Sequence, residues 1–249
     1  MRRIITLITD FGTADGYVAE MKGVLLSGAP DATIMDLTHD IPPQDVEAAR
    51  LALARSWQRF PEGTVHVVVV DPGVGSAREA LAVKSRGRFL LGPDNGVLSP
   101  ALLAGAADVV SIPISPFASA TFHGRDVFAP AAVRLAVGEE LGNLGAPKGD
   151  AVTRRTPDTK RRSDGAIVGQ VLVIDRFGNL ITNIGAHLGG TVMIAGSEIG
   201  VQRTYSDVPD GALLALGGSS GFLEVAVRGG NAAVALRVRR GDPVIWSAE

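Results

Sequence analysis

Along residues 1–142, short apolar runs rich in β-branched side chains alternate with stretches whose apolar residues recur every three or four positions. The first pattern predicts buried strands and the second amphipathic helices. Ile4–Thr9 reads as a strand, and 15–28 as a helix that stops at Gly28-Ala29-Pro30. Thr33–Leu37 is a short strand, and Pro42-Pro43 opens a helix whose Val46, Ala49, Leu53 and Trp57 share one face. Val65–Val70, apolar except for His66, predicts the central strand. Leu81–Lys84 and Phe89–Leu91 predict a hairpin, Val109–Ile112 another strand, and Val127–Val137 a helix carrying Phe128, Ala131, Ala132 and Leu135 on one side. This alternation predicts an α/β domain with a largely parallel sheet between helices.

The pattern changes near residue 150. Residues 150–165 are polar and charged and read as a linker, which divides the chain into domains at 1–149 and 166–249. The second part has short runs punctuated by Gly: Val168–Ile174, Leu180–Asn183, Thr191–Ile194, Ala212–Leu216, Phe222–Val227 and Val234–Val238. They predict a small all-β domain, an antiparallel sandwich or barrel, without a helix. With 46% apolar and only 5% aromatic residues, the core must be aliphatic. Net charge is −2, and the basic residues that cluster, Arg154-Arg155 and Lys160-Arg161-Arg162, fall in the linker. Nucleic acid is therefore not an expected partner, since phosphate contacts need clustered cations on a folded face. The chain lacks cysteine, so it has neither a disulfide framework nor a thiolate nucleophile, in keeping with a cytoplasmic protein. The opening apolar run reaches Asp10 and is too short for a signal peptide or a membrane span.

The most informative chemistry follows the central strand. Asp71-Pro72-Gly73-Val74-Gly75-Ser76-Ala77-Arg78 places an acid at a strand's carboxyl end, then turns tightly enough to bring an arginine back to it. Open α/β sheets bind ligands at that edge. Asp71 alone could satisfy N–H groups of its own turn; with Arg78 beside it, the pair reads as a site. Gly73-Val74-Gly75 lacks the third glycine of a dinucleotide loop. Asp10 ends the first strand and reads as a second site acid, whereas Asp15 suits a helix N-cap as well as a ligand. Asp10-Phe11-Gly12 matches a kinase triplet without the surrounding kinase elements. His123, in Thr121-Phe122-His123-Gly124-Arg125-Asp126, precedes a helix and could bond its own loop; His39 and His66 read as structural. Gly217-Gly218-Ser219-Ser220-Gly221 has the spacing of a nucleophile elbow, but strands flank it and no histidine follows His187, which excludes a serine hydrolase. The small residues could instead hold a carboxylate. Asp175–Asn179 joins two strands and reads as a hairpin turn.

Several segments agree, in order, with one family. Thr9-Asp10-Phe11-Gly12, Asp15-Gly16-Tyr17-Val18, Asp36-Leu37-Thr38-His39, Ile41-Pro42-Pro43-Gln44-Asp45, Val69–Gly75, Gly92-Pro93-Asp94-Asn95-Gly96 and Thr121–Asp126 match its first part. Asp175–Asn179 with Ile181-Thr182-Asn183-Ile184, and Ser220–Ala226, match its second. Together they resemble the S-adenosylmethionine hydroxide adenosyltransferases, relatives of the fluorinating and chlorinating enzymes. The resemblance implies an attacking water surrounded by Asp71, Arg78 and His123, with Asp10 holding the ribose hydroxyls; Asp15 is counted with the substrate-binding residues. It implies that Asp175 and the loop at Ser219 and Ser220 hold the methionine end, with Phe222 where the family has a tyrosine. Asn179 and the Asn231-Ala232 backbone are implied to hold the adenine edge. It further implies a homotrimer whose sites lie between one subunit's first domain and a neighbour's second.

The expected reaction is attack of water at C5′ of S-adenosylmethionine, giving adenosine and L-methionine without cofactor or metal. The sulfonium leaves as a neutral thioether, so catalysis has only the water to improve. A carboxylate that takes its proton and aligns it does so, and Arg78 keeps that carboxylate charged. Two other readings compete. A calcium-dependent nucleoside hydrolase also gathers Asp residues near its first strand, but needs a tighter cluster than Asp10 and Asp15 provide. A non-catalytic sensor of an adenosyl ligand would bind without turnover.

Overall fold

The computed structural model describes residues 3–248, and the chain divides into two compact units, Met1–Arg155 and Thr156–Glu249. In the first unit the strands are β1 (Ile4–Thr9), β2 (Thr33–Thr38), β3 (Val65–Val69), β4 (Ala80–Ser85), β5 (Arg88–Pro93), β6 (Ala107–Ile112) and β7 (Ala146–Pro147). Among the described residues they form one sheet in the order β2-β1-β3-β5-β4-β6-β7. Its helices are α1 (Tyr17–Gly28), α2 (Val46–Ser56), α3 (Ser99–Leu102) and α4 (Ala129–Ala136).

Side-chain alternation along the strands builds two cores. Ile5, Leu7, Val65, Val67 and Val69 pack with Met21 and Leu25 of α1 and Ala132 and Leu135 of α4. Ile8, Val68 and Val70 point the other way and pack with Ala49 and Leu53 of α2, Trp57 and Ala101 of α3. Both faces of β3 are therefore dry, which is why its sequence is apolar at every position but His66 rather than alternating.

The expectation of a largely parallel sheet needs correction: the sheet is mixed. β2, β1, β3 and β5 run parallel, whereas β4 is antiparallel to both β5 and β6, and β6 to β7. The cause is the predicted hairpin. Arg86 and Gly87, at φ +44° and +73°, make a two-residue turn between β4 and β5, a geometry whose twist matches paired antiparallel strands. β4 consequently runs against its neighbours in the middle of the sheet. The helix expected from Pro42 starts only at Val46, where the Asp45 side chain accepts from Ala48 N at 2.9 Å.

The second unit comprises β8 (Lys160–Arg161), β9 (Ile167–Ile174), β10 (Leu180–Gly185), β11 (Thr191–Ile194), β12 (Ser197–Gln202), β13 (Leu213–Gly217), β14 (Phe222–Val227) and β15 (Pro243–Ser247). Among the described residues the order is β10-β14-β13-β12-β11-β15-β9-β8, and β9 also pairs with β10, so seven strands close into a barrel. Val171, Leu180, Val192, Leu223, Val225 and Val244 fill it. The pairs are antiparallel except β12 with β13.

Two local expectations fail here. Val234–Val238, read as a strand, belongs to helix α5 (Ala232–Leu236) and its exit; Asn231 caps it by accepting from Val234 N at 2.9 Å, and Arg237 ends it at φ +54°. A short apolar run without periodicity fits either element, and the cap decides. The linker expected at 150–165 is not uniformly free: 150–155 belong to the first unit and Lys160–Arg161 form β8. Among the described residues no helix is long and apolar enough to cross a membrane.

One buried side chain makes stability depend on pH. His66 in β3 is fully buried; its Nδ1 pairs with Thr6 Oγ1 at 2.7 Å. Burial, with the Arg88 charge adding to it, pushes its pKa down to about 4. The unfolded chain takes up this proton near 6.5, so between 6.5 and 4 the unfolded state binds more protons and stability falls as pH falls. A depression of this size is worth roughly 3 kcal/mol, complete near the folded value. Denaturant unfolding across that interval should show the loss, and His66→Gln should flatten it.

Candidate active site

The first unit gathers its chemistry where β1 and β3 end. A cavity of ≈ 260 Å³ is lined by Asp10, Phe11, Gln44, Val69, Asp71, Pro72, Val74, Thr121, Phe122, His123 and Gly124. Asp10 follows β1 and Asp71 follows β3, and the two strands run side by side in register, with Thr9 opposite Val69. Parallel pairing alone therefore puts both acids at one edge.

The turn after Asp71 behaves as its glycines require. Val74 N bonds to Asp71 O at 3.2 Å and Ser76 N to Gly73 O at 3.1 Å. Gly75 stands at φ +78°, and a Cβ on it would lie 2.6 Å from Ala120 O, so only glycine lets this turn meet the loop that carries His123. Arg78 folds back on Asp71: Nε donates to Oδ1 at 3.0 Å and Nη2 to Oδ2. The side chains of this pair are only 10% and 6% exposed. Nη2 also donates to His123 Nδ1 at 2.7 Å, Nη1 reaches Glu79 O at 3.4 Å, and the guanidinium lies 5.7 Å from the centre of the buried Phe128 ring.

This arrangement assigns the histidine's tautomer. A guanidinium only donates, so Nδ1 accepts and Nε2 carries the proton. Burial first, and the Arg78 charge second, lower the His123 pKa below the ordinary histidine value, against the opposing pull of Asp71 and Asp126. His123 is therefore a neutral ring at pH 7. A π-helical turn, Gly124–Phe128, follows it and leads into α4; such wide turns are frequent at functional sites.

Asp10 is braced differently. Its Oδ2 accepts from Gln44 N at 2.7 Å. Gln44 sits at φ +65°, unusual for a residue with a side chain. Beneath it, Thr9 Oγ1 pairs with His39 Nδ1 at 2.8 Å, and His39 Nε2 lies 3.1 Å from Asp36. Asp15 lies in the exposed loop before α1, outside the cavity lining, and the N-cap position is taken by Gly16 instead.

In the second unit, Asp175 organises its turn: Oδ1 accepts from Phe177 N and Asn179 N, both at 2.9 Å, and Oδ2 from Asn179 Nδ2 at 3.1 Å. A cavity of ≈ 580 Å³ is lined by Phe177, Asn179, Tyr205, Val227, Gly229, Gly230 and Asn231. Ala232 is buried behind Asn231. Ser219 and Ser220 form the tight turn between β13 and β14, closed by Gly218 N to Phe222 O at 2.8 Å, and the buried Ser220 Oγ has no partner among the described residues. Phe222 is half-buried at the start of β14.

Sequence reasoning missed Phe177, Tyr205 and Glu224. Tyr205 donates its hydroxyl to the buried Glu224, and burial, reinforced by that bond, pushes the phenol's pKa up. Phe177 was available from the Asp175–Asn179 stretch that contains it; Tyr205 sits in an irregular turn with no periodicity to announce it. Among the described residues, no three His, Asp or Glu side chains group so as to hold a metal ion.

The chain thus joins an α/β unit presenting an acid–arginine–histidine group to a small closed barrel. The models for the SAM hydroxide adenosyltransferase N-terminal and C-terminal domains match residues 5–145 and 169–245, and the chain belongs to that family. It is 41% identical to the (R)-S-adenosyl-L-methionine hydrolase of Thermus thermophilus, over 97% of this chain and 98% of that one. It is 29% identical to a fluorinase of Nocardia brasiliensis, over 98% and 96%. A crystal structure of a conserved protein from Thermotoga maritima superposes with a TM-score of 0.90 at 33% identity, covering 97% and 99% of the two chains.

The contact at Gly75 is open to a differential test. Gly12 also has positive φ, at +65°, but a Cβ on it meets nothing within 4 Å. Gly12→Ala should therefore cost only the left-handed strain, roughly 1–2 kcal/mol, whereas Gly75→Ala must also push two loops apart. Thermal unfolding should show the larger loss for Gly75→Ala. Equal losses would mean that the loops do not meet.

Proposed function

We propose that this protein hydrolyses S-adenosyl-L-methionine by attack of water at C5′, releasing adenosine and L-methionine. The observation that carries the reading is the convergence of Asp10, Asp71 and His123 on one cavity, with Arg78 bonded to both Asp71 and His123, in a chain of this family. Asp71 accepts the water's proton. A carboxylate offers about four acceptor sites and Arg78 occupies two, which leaves room for the water. His123 Nε2–H donates to the water oxygen and aims its remaining lone pair. Asp10 spends Oδ2 on Gln44 and keeps Oδ1 for the ribose hydroxyls. No acid is needed, because the departing sulfur becomes neutral.

The same geometry argues against a halide nucleophile. Arg78 is committed to Asp71, His123 and Glu79 O, so no cation remains to offset an anion held against the Asp71 carboxylate.

The second unit supplies the other wall. Phe177, Tyr205 and the amides of Asn179 and Asn231 suit a flat base with polar edges, and the unpartnered Ser220 hydroxyl suits a carboxylate. Asp175 acts by shaping the turn that presents Asn179. A ligand with a nucleoside at one end and an amino acid at the other needs both kinds of wall, and sites at interfaces are common. We place these walls on neighbouring subunits of a homotrimer, since closed rings arise from head-to-tail contacts.

Chromatography after incubation with S-adenosylmethionine and a chelator should show adenosine and methionine, and labelled water should leave its oxygen on C5′. Adenine as product would defeat the reading, as would binding without turnover. Asp71→Asn should slow turnover by about 10²–10⁴-fold, the worth of general-base help, while ligand still binds.

The assembly has its own test. Mixing Asp71→Asn subunits with Asp175→Asn subunits should restore part of the activity, because some neighbour pairs then carry two intact walls. A monomer by light scattering, or exchange of subunits without rescue, would refute shared sites.

A further inference from the structure

The Gly92–Gly96 stretch shares the motif pattern of the site, yet the chemistry above gives it no task. The registered ladders of β3 end at Val69, opposite Thr9, and at Val67, opposite Leu91. Gly92 still presses on β3, where a Cβ would stand 2.8 Å from Val68 O. Val70, fully buried, lies beyond both ladders, and its carbonyl accepts from Asn95 Nδ2 at 3.0 Å. Asn95 is itself held, since its Oδ1 accepts from Val97 N at 3.1 Å. The Val70 carbonyl and the Asp71 amide share one rigid peptide plane. Holding that oxygen therefore fixes the direction in which Asp71 leaves the strand.

The other side of the same loop grips the segment that leads out of the first unit. Asp94 Oδ1 accepts from Val152 N at 2.7 Å, Asn95 O from Arg154 Nε at 2.8 Å, and Ser99 Oγ from Arg154 N at 2.7 Å. Gly96, at φ +90°, is bare where the Arg154 stem crosses it, and any Cβ there would collide with that stem. One short loop thus holds residues 152–154 with one side and the residue before Asp71 with the other.

We propose that Asn95 is a positioning residue for the Asp71 carboxylate, and that the 152–154 segment, clasped on Asp94, Asn95 and Gly96, sets that position. The inference rests on the reading of Asp71 as the group that takes the water's proton. It makes the exit of the first unit part of the catalytic geometry rather than a passive tether.

The test compares Asn95→Asp and Arg154→Ala in the full chain. Asn95→Asp replaces the donor by an oxygen that repels the Val70 carbonyl; Arg154→Ala removes an exposed side chain and its bond to Asn95 O while leaving the backbone bond to Ser99 in place. Two readouts are taken: steady-state hydrolysis of S-adenosylmethionine, and an NMR titration of the His123 ring, which senses Asp71 and Arg78 without turnover. Misplacing a reacting group by about 1 Å costs on the order of 10²-fold. Asn95→Asp should accordingly lower kcat by roughly 10–100-fold with KM changed less than about threefold, and should move the His123 titration. Arg154→Ala should act in the same direction and less, and the double variant should fall short of additivity. A folded Asn95→Asp with an unmoved His123 titration overturns the proposal, as does a rise in KM at native kcat. If Asn95→Asp does not fold, Arg154→Ala decides: native values in both readouts reject the clasp. If the native chain releases no adenosine while the titration still moves, the positioning stands and the proposed function falls.

Discussion

A carboxylate and a guanidinium can leave water together only if the lone pairs and protons not used between them find other partners. Asp71 and Arg78 meet that condition at the end of a strand that is dry on both faces. Nε and Nη2 of Arg78 serve the carboxylate, Nη2 also serves His123, and Nη1 reaches a backbone carbonyl. The surroundings follow from these demands. The turn must be short enough for residue 78 to return to residue 71, so Gly73 and Gly75 sit inside it. The loop bearing His123 must come within van der Waals range of that turn, so position 75 has no side chain. The space below the guanidinium must exclude water, and the fully buried Phe128 fills it.

Those same demands explain what could be read from the chain. The Asp71–Arg78 pairing was legible because both its causes are local: a valine-rich run and a turn of fixed length. Short apolar runs and helical spacing likewise place the β1, β2, β3, α1 and α2 segments of the first unit to within a few residues. What escaped depends on partners distant in sequence. A hairpin was visible at 81–91, but its consequence, a reversed strand between β5 and β6, depends on β6 choosing β4 as its neighbour. Barrel closure rests on β9 meeting β10 at one end of the order and β15 at the other, which no local pattern announces. At Ala232–Leu236 the apolar run had no period, and one asparagine side chain decided for helix.

The site shows the same division. Asp10, Asp71 and His123 were found from their positions at element ends, and β1–β3 pairing brings the two acids to one edge. Asp15, carried along by its motif, stands in an exposed loop. The basic residues at 154 and 155 looked like part of a solvated linker because they sit in polar sequence. Arg154 is docked instead, and its dock is a bare glycine that only the folded loop reveals.

Charge balance ties the neutral histidine to the substrate. Asp10 and Asp71 bring two carboxylates to the cavity and Arg78 one cation, which leaves the region one positive charge short. The sulfonium of the proposed substrate would supply that charge, and a partly dry site makes such a match worth more than it would be in water. An imidazolium at position 123 would satisfy the same deficit and repel the ligand. Burial opposes protonation first, the Arg78 charge adds to it, and Arg78 Nη2–H occupies the ring nitrogen that would otherwise take the proton. In the proposed reaction the water's proton passes to Asp71 and the sulfur becomes neutral, so the charge attraction between the sulfonium and the two carboxylates would be lost after attack. A single arginine thereby fixes the acid and sets the tautomer of the histidine.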